Sequence, residues 1–365
     1  MDFAESEVYV LSEQLDEPEW LLQERLQAFH AFQKLINDPK LKEKPKLPDL
    51  LSKPKIEIKK QKGMHIEKLH NMLNSTQAEF AKDIFLNRNG KSQNWRIALI
   101  NAFFTECNIY IVENAQAELE LESSGGPALN FVIIKEGSSL AYVHLVQAEG
   151  FQSVETIAGQ NAKLSRLLVQ HAKYSGFFSN VFLLERGSHM EHASFIRGGG
   201  NLEIQSLLVG EQSEVHDVVV FTENDSNSLQ LYSLLNQIAT NTKGNILIKG
   251  IAQETAQAKL DGMIHIGKQA SNSNSFLDQH VMLLNPGARA DTNPQLEIEN
   301  NNVQSSHSAS VGQISEDKLF YLESRGISSS EARKLLVEGF LGSAVEKIRT
   351  ESHREIVATM LAQFF

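Results

Sequence analysis

One cysteine, Cys107, stands in a chain of 365 residues that also holds twelve histidines. A single thiol forms no intramolecular disulfide, and alone it builds no multi-cysteine metal centre. Cys107 lies in the apolar run Phe103-Phe104-Thr105-Glu106-Cys107-Asn108-Ile109-Tyr110, the setting of a buried structural thiol rather than a reactive one. His189, Glu191 and His192 are ligand types, but on a strand His189 and His192 point to opposite faces and share no ion. Arg197-Gly198-Gly199-Gly200 lacks the following Gly-Lys-Ser/Thr of a phosphate loop and reads as a turn. Neither a Gly-x-Ser-x-Gly elbow nor a His-Glu-x-x-His helix occurs. His307, between Ser306 and Ser308 in an Asn- and Ser-rich stretch, has the surroundings of an ordinary surface residue in a polar turn, although neutral imidazole is a competent metal ligand.

Composition narrows the classes further. The formal charge of −11 argues against a general nucleic-acid or anionic-membrane binder, which needs a basic face. With 41% apolar and 22% charged residues the chain is ordinary for a globular protein. It is long enough for two or three domains or one elongated repeat domain. No apolar run is long enough to span a bilayer, and the opening MDFAESEVYV lacks a signal-peptide pattern, so a cytoplasmic location is expected.

The elements that must position these residues change in character along the chain. Residues 16 to 36 read as a helix, with Trp20, Leu21, Ala28, Phe29, Phe32 and Leu35 at helical spacing. Residues 39 to 62 carry four prolines and nine lysines against three acids and read as an extended linker. Helical patterns return from His65 to Ala81 and from Trp95 to Phe104, so residues 1–108 form a helical N-terminal region. From residue 109 to 314 short apolar runs alternate with Gly, Ser and Asn turns. Turn signatures end at Leu140, Leu164, Met190 and Val215, a spacing of roughly 25 residues, which is within the range of solenoid repeats. A fixed period with several short strands per repeat predicts a parallel β-helix, and after Val220 the period blurs. From Ser315 to Phe365 the texture is helical. Ser315 opens one helix through Leu319, Phe320 and Leu322 that Gly326 closes, Ser328 opens a second, and a third is expected from about Ser343.

The segment joining solenoid to helices reads Pro294-Gln295-Leu296-Glu297-Ile298, then Val303, Ser306-His307, Val311-Gly312-Gln313, Phe320-Tyr321-Leu322 and Ser324-Arg325-Gly326-Ile327. In order and spacing it resembles the C-terminal signature of the SufB/SufD family of iron-sulfur cluster assembly scaffolds. Asp261-Gly262, Ala270, Leu283-Leu284 and Ala288-Arg289-Ala290-Asp291-Thr292 extend the likeness upstream, and Glu17-Pro18-Glu19-Trp20-Leu21-Leu22 resembles the family's first helix. The middle, from about 60 to 255, matches in texture only.

The resemblance implies a mainly β fold, a right-handed parallel β-helix flanked by N- and C-terminal helical segments. It also implies a non-catalytic scaffold that pairs with a SufB-type subunit and docks a SufC-type ABC ATPase. His307 would then be an interface residue and metal ligand for an iron-sulfur cluster shared with SufB, none being bound by the chain alone. Ser305 stands where many members have cysteine and Ser308 where glycine is usual. The run Ser306-His307-Ser308-Ala309-Ser310-Val311-Gly312-Gln313 and the lack of suitable cysteines favour a SufD-like member. The alternatives are a SufB-like homodimer and a right-handed β-helix enzyme acting on acidic polysaccharide. Docking of the ATPase is expected on the helix containing Leu335, Leu336 and Phe340. Leu335 and Phe340 lie about 140° apart around it, so one should anchor the helix while the other faces outward.

Overall fold

The computed structural model describes residues 4–38, 53–86, 94–170 and 176–363. Helices α1 (Glu5–Gln14) and α2 (Glu19–Ile36) precede strands β1 (Lys55–Lys62) and β2 (His65–Lys68), then α3 (Leu69–Leu73), α4 (Ala78–Leu86) and α5 (Trp95–Phe103). Among the described residues the strands β3 (Glu106–Val112), β4 (Gln116–Ile134), β5 (Ser139–Ala158), β6 (Lys163–Gln170), β7 (Phe177–Leu184), β8 (His189–Arg197) and β9 (Gly200–Leu208) follow. Next come β10 (Glu214–Glu223), β11 (Ser228–Gln237), β12 (Lys243–Ala252), β13 (Gln257–Ile266), β14 (Asn274–Leu283), β15 (Arg289–Ile298) and β16 (Gln304–Gln313). The chain closes with α6 (Glu316–Ser324), α7 (Ser329–Val345) and α8 (Glu351–Ala362).

The pairing is that of a parallel β-solenoid with two faces. One face stacks the first half of β4, the first half of β5, then β6, β8, β10, β12, β14 and β16. The other stacks β3, the second halves of β4 and β5, then β7, β9, β11, β13 and β15. β4 and β5, 19 and 20 residues long, run through the corner and belong to both.

Leu140, Leu164, Met190 and Val215, the residues that end the sequence repeat, occupy one register column. The column continues through Gly244, Ser275 and Ser305, now with a repeat of roughly 30 residues. The period does not dissolve after Val220; the coil lengthens. In the turns before these strands a left-handed residue sits three places ahead of the column: Asn114, Gly137, Asn161, Gly187, Gln212, Asn241 and Asn272, with φ between 52° and 66°. Glycine and asparagine tolerate that region best. From Gly137 to Asn272, each of their N–H groups donates to a carbonyl in the turn of the next coil, at 2.7–3.2 Å. The turns therefore stack as regularly as the strands.

Three main apolar clusters form among the described residues. The largest fills the solenoid between its faces, from Tyr110 and Leu119 to Leu277 and Val281. A second lies outside the β3–β7 end of one face, under the N-terminal helices, where Phe29, Phe32, Phe85 and Trp95 meet Phe131, Phe151 and Phe177. Arg25, fully buried, ties this region together: it donates to Glu17 at 2.6 Å, to the carbonyls of Ala102 and Phe104 at 3.0 Å, and stacks on the Phe104 ring. A third covers the other face, where α7 and α8 bury Val337, Leu341, Val345 and Val357 against Leu167, Phe195, Val218 and Val220. Strands covered on both sides read as unbroken apolar runs, as in Val218-Val219-Val220-Phe221.

Several local expectations are corrected. Residues 55–62, read as part of the linker, form β1, antiparallel to the acidic first half of β4, with Lys59 3.0 Å from Glu122 and Lys60 paired to Glu118; residues 39–52 lie outside the described residues. The helix expected from His65 to Ala81 is β2, α3 and the start of α4, and α1 is additional. The last helix begins at Glu351, after a break at 346–350.

Candidate functional site

His307 lies in a strand, not a turn: it is the fourth residue of β16, paired with Leu277 of β14. Leu277 is fully buried and faces the main core. Paired residues of parallel strands share a face, so His307 continues an inward column at the point where the solenoid ends and its side chain is exposed. Among the described residues its ring has no hydrogen-bond or ion-pair partner. Its neighbours are occupied: Ser275 donates to Ser305 Oγ at 3.0 Å, and His280 Nδ1 lies 2.6 Å from Ser310 Oγ while its Nε2 meets Asp278 at 2.7 Å. β15 and β16 end the strand order, so each leaves one edge of its backbone unpaired. Ile298 and Val311 are exposed beside those edges. An edge of this kind is a template for another chain's strand. Chemically, β16 offers one imidazole and no thiolate, since Cys107 sits in β3 at the opposite end and is buried.

The C-terminal helices divide the predicted contact residues. Ser315 accepts from Lys318 N, and Ser328 with Glu331 forms a capping box, which fixes where α6 and α7 start. Leu335 is 48% exposed. Leu336 packs toward Ile314, Leu319 and Ala332, while Phe340 packs on the core under α7 with Lys249 Nζ 5.1 Å above its ring. Of the apolar residues along α6, Leu319 is buried, whereas Phe320 and Tyr321 are 73% and 57% exposed. Between α7 and the ends of β14 and β16 an open groove of about 740 Å³ is lined by Leu283, Pro286, Gln313, Arg333, Lys334 and Val337.

Sequence reasoning missed a polar file inside the solenoid. Tyr142, Arg166, His192 and Asp217 are consecutive members of the column that ends at His307, and all four are buried. Arg166 Nη1 is 3.3 Å from His192 Nε2, and His192 Nδ1 is 2.9 Å from Asp217 Oδ1. This geometry fits a neutral imidazole that donates from Nδ1 to the carboxylate and accepts from the guanidinium. Burial holds the His192 imidazole below its ordinary pKa against the opposing pull of Asp217. His144, between Ser123 Oγ at 2.7 Å and Tyr142 Oη at 2.9 Å, is held well below its ordinary value by burial and by Arg166. The same burial pushes the Tyr142 phenol up to about 12. Each member of the file lies a whole repeat from the next, so only an alignment of successive repeats would have brought them together. His189, in contrast, points outward to Glu191 at 2.7 Å, and Arg349 meets the same carboxylate at 2.8 Å. That carboxylate already has its cation, and His192 faces the interior.

Comparison with known proteins places this architecture. The family model described as SUF system FeS cluster assembly, SufBD core domain, matches residues 119–340, the span of the solenoid from β4 through α6 into α7. The iron-sulfur cluster assembly protein SufD of Escherichia coli is 29% identical over 191 residues, covering 51% of this chain and 41% of that protein. A SufBD family protein of Staphylococcus haemolyticus is 24% identical over 271 residues, 67% of this chain and 56% of the relative. One from Mycobacterium bovis is 30% identical over 176 residues, 46% and 44% of the two chains. The chain spans about half the length of the curated relatives it matches. With a family model covering well over half of its residues and the solenoid that the signature around His307 implies, the chain belongs to the SufB/SufD family of iron-sulfur cluster assembly proteins.

Proposed function

We propose that this chain is a non-catalytic, SufD-like scaffold subunit that pairs through the open end of its solenoid with a SufB-type subunit and docks a SufC-type ATPase on its C-terminal helices. The observation that carries this reading is His307: an imidazole without a partner among the described residues, on the last strand of a solenoid whose backbone edge is open to another chain. A partner strand added along β16 would satisfy the free N–H and C=O groups and bring its own side chains beside the ring. The iron-sulfur cluster is then cargo at the junction, with thiolates supplied by the partner and one nitrogen by His307. The fit is limited to that one ligand, because Cys107 is buried in the other end of the molecule. The ATPase would meet the exposed Phe320, Tyr321 and Leu335, with Leu336 and Phe340 holding α7 in place.

The test is His307→Ala in the complex co-expressed with SufB- and SufC-type subunits. The variant is expected to assemble normally and to mature an apo-ferredoxin more slowly. Maturation at the wild-type rate would remove His307 from the cluster path. A stable dimer of this chain alone, found by light scattering, would instead favour the homodimeric SufB-like arrangement.

A further inference from the structure

We infer that the outer face of the solenoid carries a binding site for a divalent first-row transition ion, formed by His265, Glu297 and Glu299 and separate from His307. The ligand atoms of these three side chains all lie within 4.8 Å of one another. Their placement follows from the fold. Asn236 of β11, His265 of β13 and Glu297 of β15 occupy one register column on adjacent parallel strands. Glu299 follows β15 by one residue, and its carboxylate lies beside that of Glu297. The backbone under Glu299 is still held by the ladder, its N–H donating to the Ile266 carbonyl at 2.9 Å. His265 and Glu297 therefore rise from paired strands, and Glu299, one residue past the end of β15, from backbone still anchored to β13.

Two further observations point to a cation. Asn236 Oδ1 accepts from His265 Nδ1 at 2.8 Å, which fixes the tautomer and leaves the Nε2 lone pair free. This is the outer-shell arrangement that orients metal-binding histidines. The two carboxylates are also held close together with no ion pair to either among the described residues, unlike Glu191, which Arg349 neutralises. A divalent ion offsets that repulsion. Zinc coordination would require the three ligand atoms to close to roughly 2.0–2.2 Å from the ion. One imidazole with two carboxylates suits zinc, cobalt, iron(II) or manganese, whereas calcium and magnesium prefer oxygen alone and copper(I) prefers sulfur. The three protein ligands leave coordination positions open to water. The site stands on the terminal strand of its face but uses no residue of the His307 column, so it stands or falls independently of the proposed function.

The experiment is titration of the purified full chain with Zn²⁺ by calorimetry and with Co²⁺ by visible absorption. One equivalent is expected to bind saturably, and both His265→Ala and the double variant Glu297→Gln/Glu299→Gln should lose it. Asn236→Ala should weaken binding by about 10–100-fold, while His307→Ala should leave it unchanged. Because all these side chains lie on the surface, circular dichroism should show the wild-type fold in each variant. Binding that survives both the His265 and the double glutamate substitutions, or no saturable uptake by the wild type, would overturn the assignment.

Discussion

Lowering the pH from 7 to 5 should weaken the fold through His353, which α8 carries against the outer face of the solenoid. The residue is 3% exposed, 3.3 Å from Ser165 Oγ, and packed near Glu191, His216 and Arg349. Burial, with a smaller contribution from His192, lowers its pKa from 6.5 to about 4. The folded chain therefore keeps this imidazole neutral over a range in which the unfolded chain protonates it. Stability from this group is complete above pH 6.5 and is lost as pH falls toward 4. At about 1.36 kcal/mol per pH unit the full loss is roughly 3 kcal/mol, of which about 2 kcal/mol falls between pH 7 and 5. Glu223, whose pKa burial pushes up to about 8, works in the opposite sense, since its contribution is lost as pH rises from 4.5 toward 8. The useful quantity is thus the difference between wild type and His353→Gln in urea-unfolding free energy at the two pH values. On acidification the variant should lose less than the wild type by that same difference, about 2 kcal/mol. Equal losses in the two proteins would refute the argument that this histidine is buried neutral.

Three further outcomes follow from the packing. Asp217→Ala, which leaves Arg166 as a buried uncompensated charge beside His192, should cost about 3–5 kcal/mol, whereas replacing the whole triad by Arg166→Met, His192→Leu and Asp217→Leu should be close to neutral; denaturant midpoints decide. Gly250→Ala should cost about 1–3 kcal/mol by overpacking, because a Cβ there would stand 2.2 Å from ring carbons of the buried Phe221; a melting temperature equal to wild type would contradict it. Leu335→Asp should fold normally yet fail to retain a SufC-type ATPase in pull-down, while Phe340→Asp should lower stability by roughly 1.5–3 kcal/mol through lost burial; full retention of the ATPase by a folded Leu335→Asp chain would move the dock elsewhere.

The sequence by itself determined whatever depends on neighbours a few residues away or on a repeat. Leu140, Leu164, Met190 and Val215 revealed the coil because a stacked turn needs a left-handed residue and an inward apolar residue at fixed spacing. Ser315, Gly326 and Ser328 marked the ends of α6 and the start of α7 because capping is local chemistry. The angular separation of Leu335 and Phe340 showed that one must face inward, but not which. Only packing against Lys249 and the outer face of the solenoid decided for Phe340. Tertiary structure likewise turned the lysine-rich segment 55–62 into a strand, because its partner is the glutamate row of β4, far along the chain. It also made a strand of the serine-rich stretch around His307. That terminal coil has no further coil to cover it, so it lacks the apolar alternation by which strands are recognised. The file from Tyr142 to Asp217 was invisible for a related reason. Each member is a single polar residue in its own repeat, and only stacking at strand spacing turns four isolated residues into one buried network.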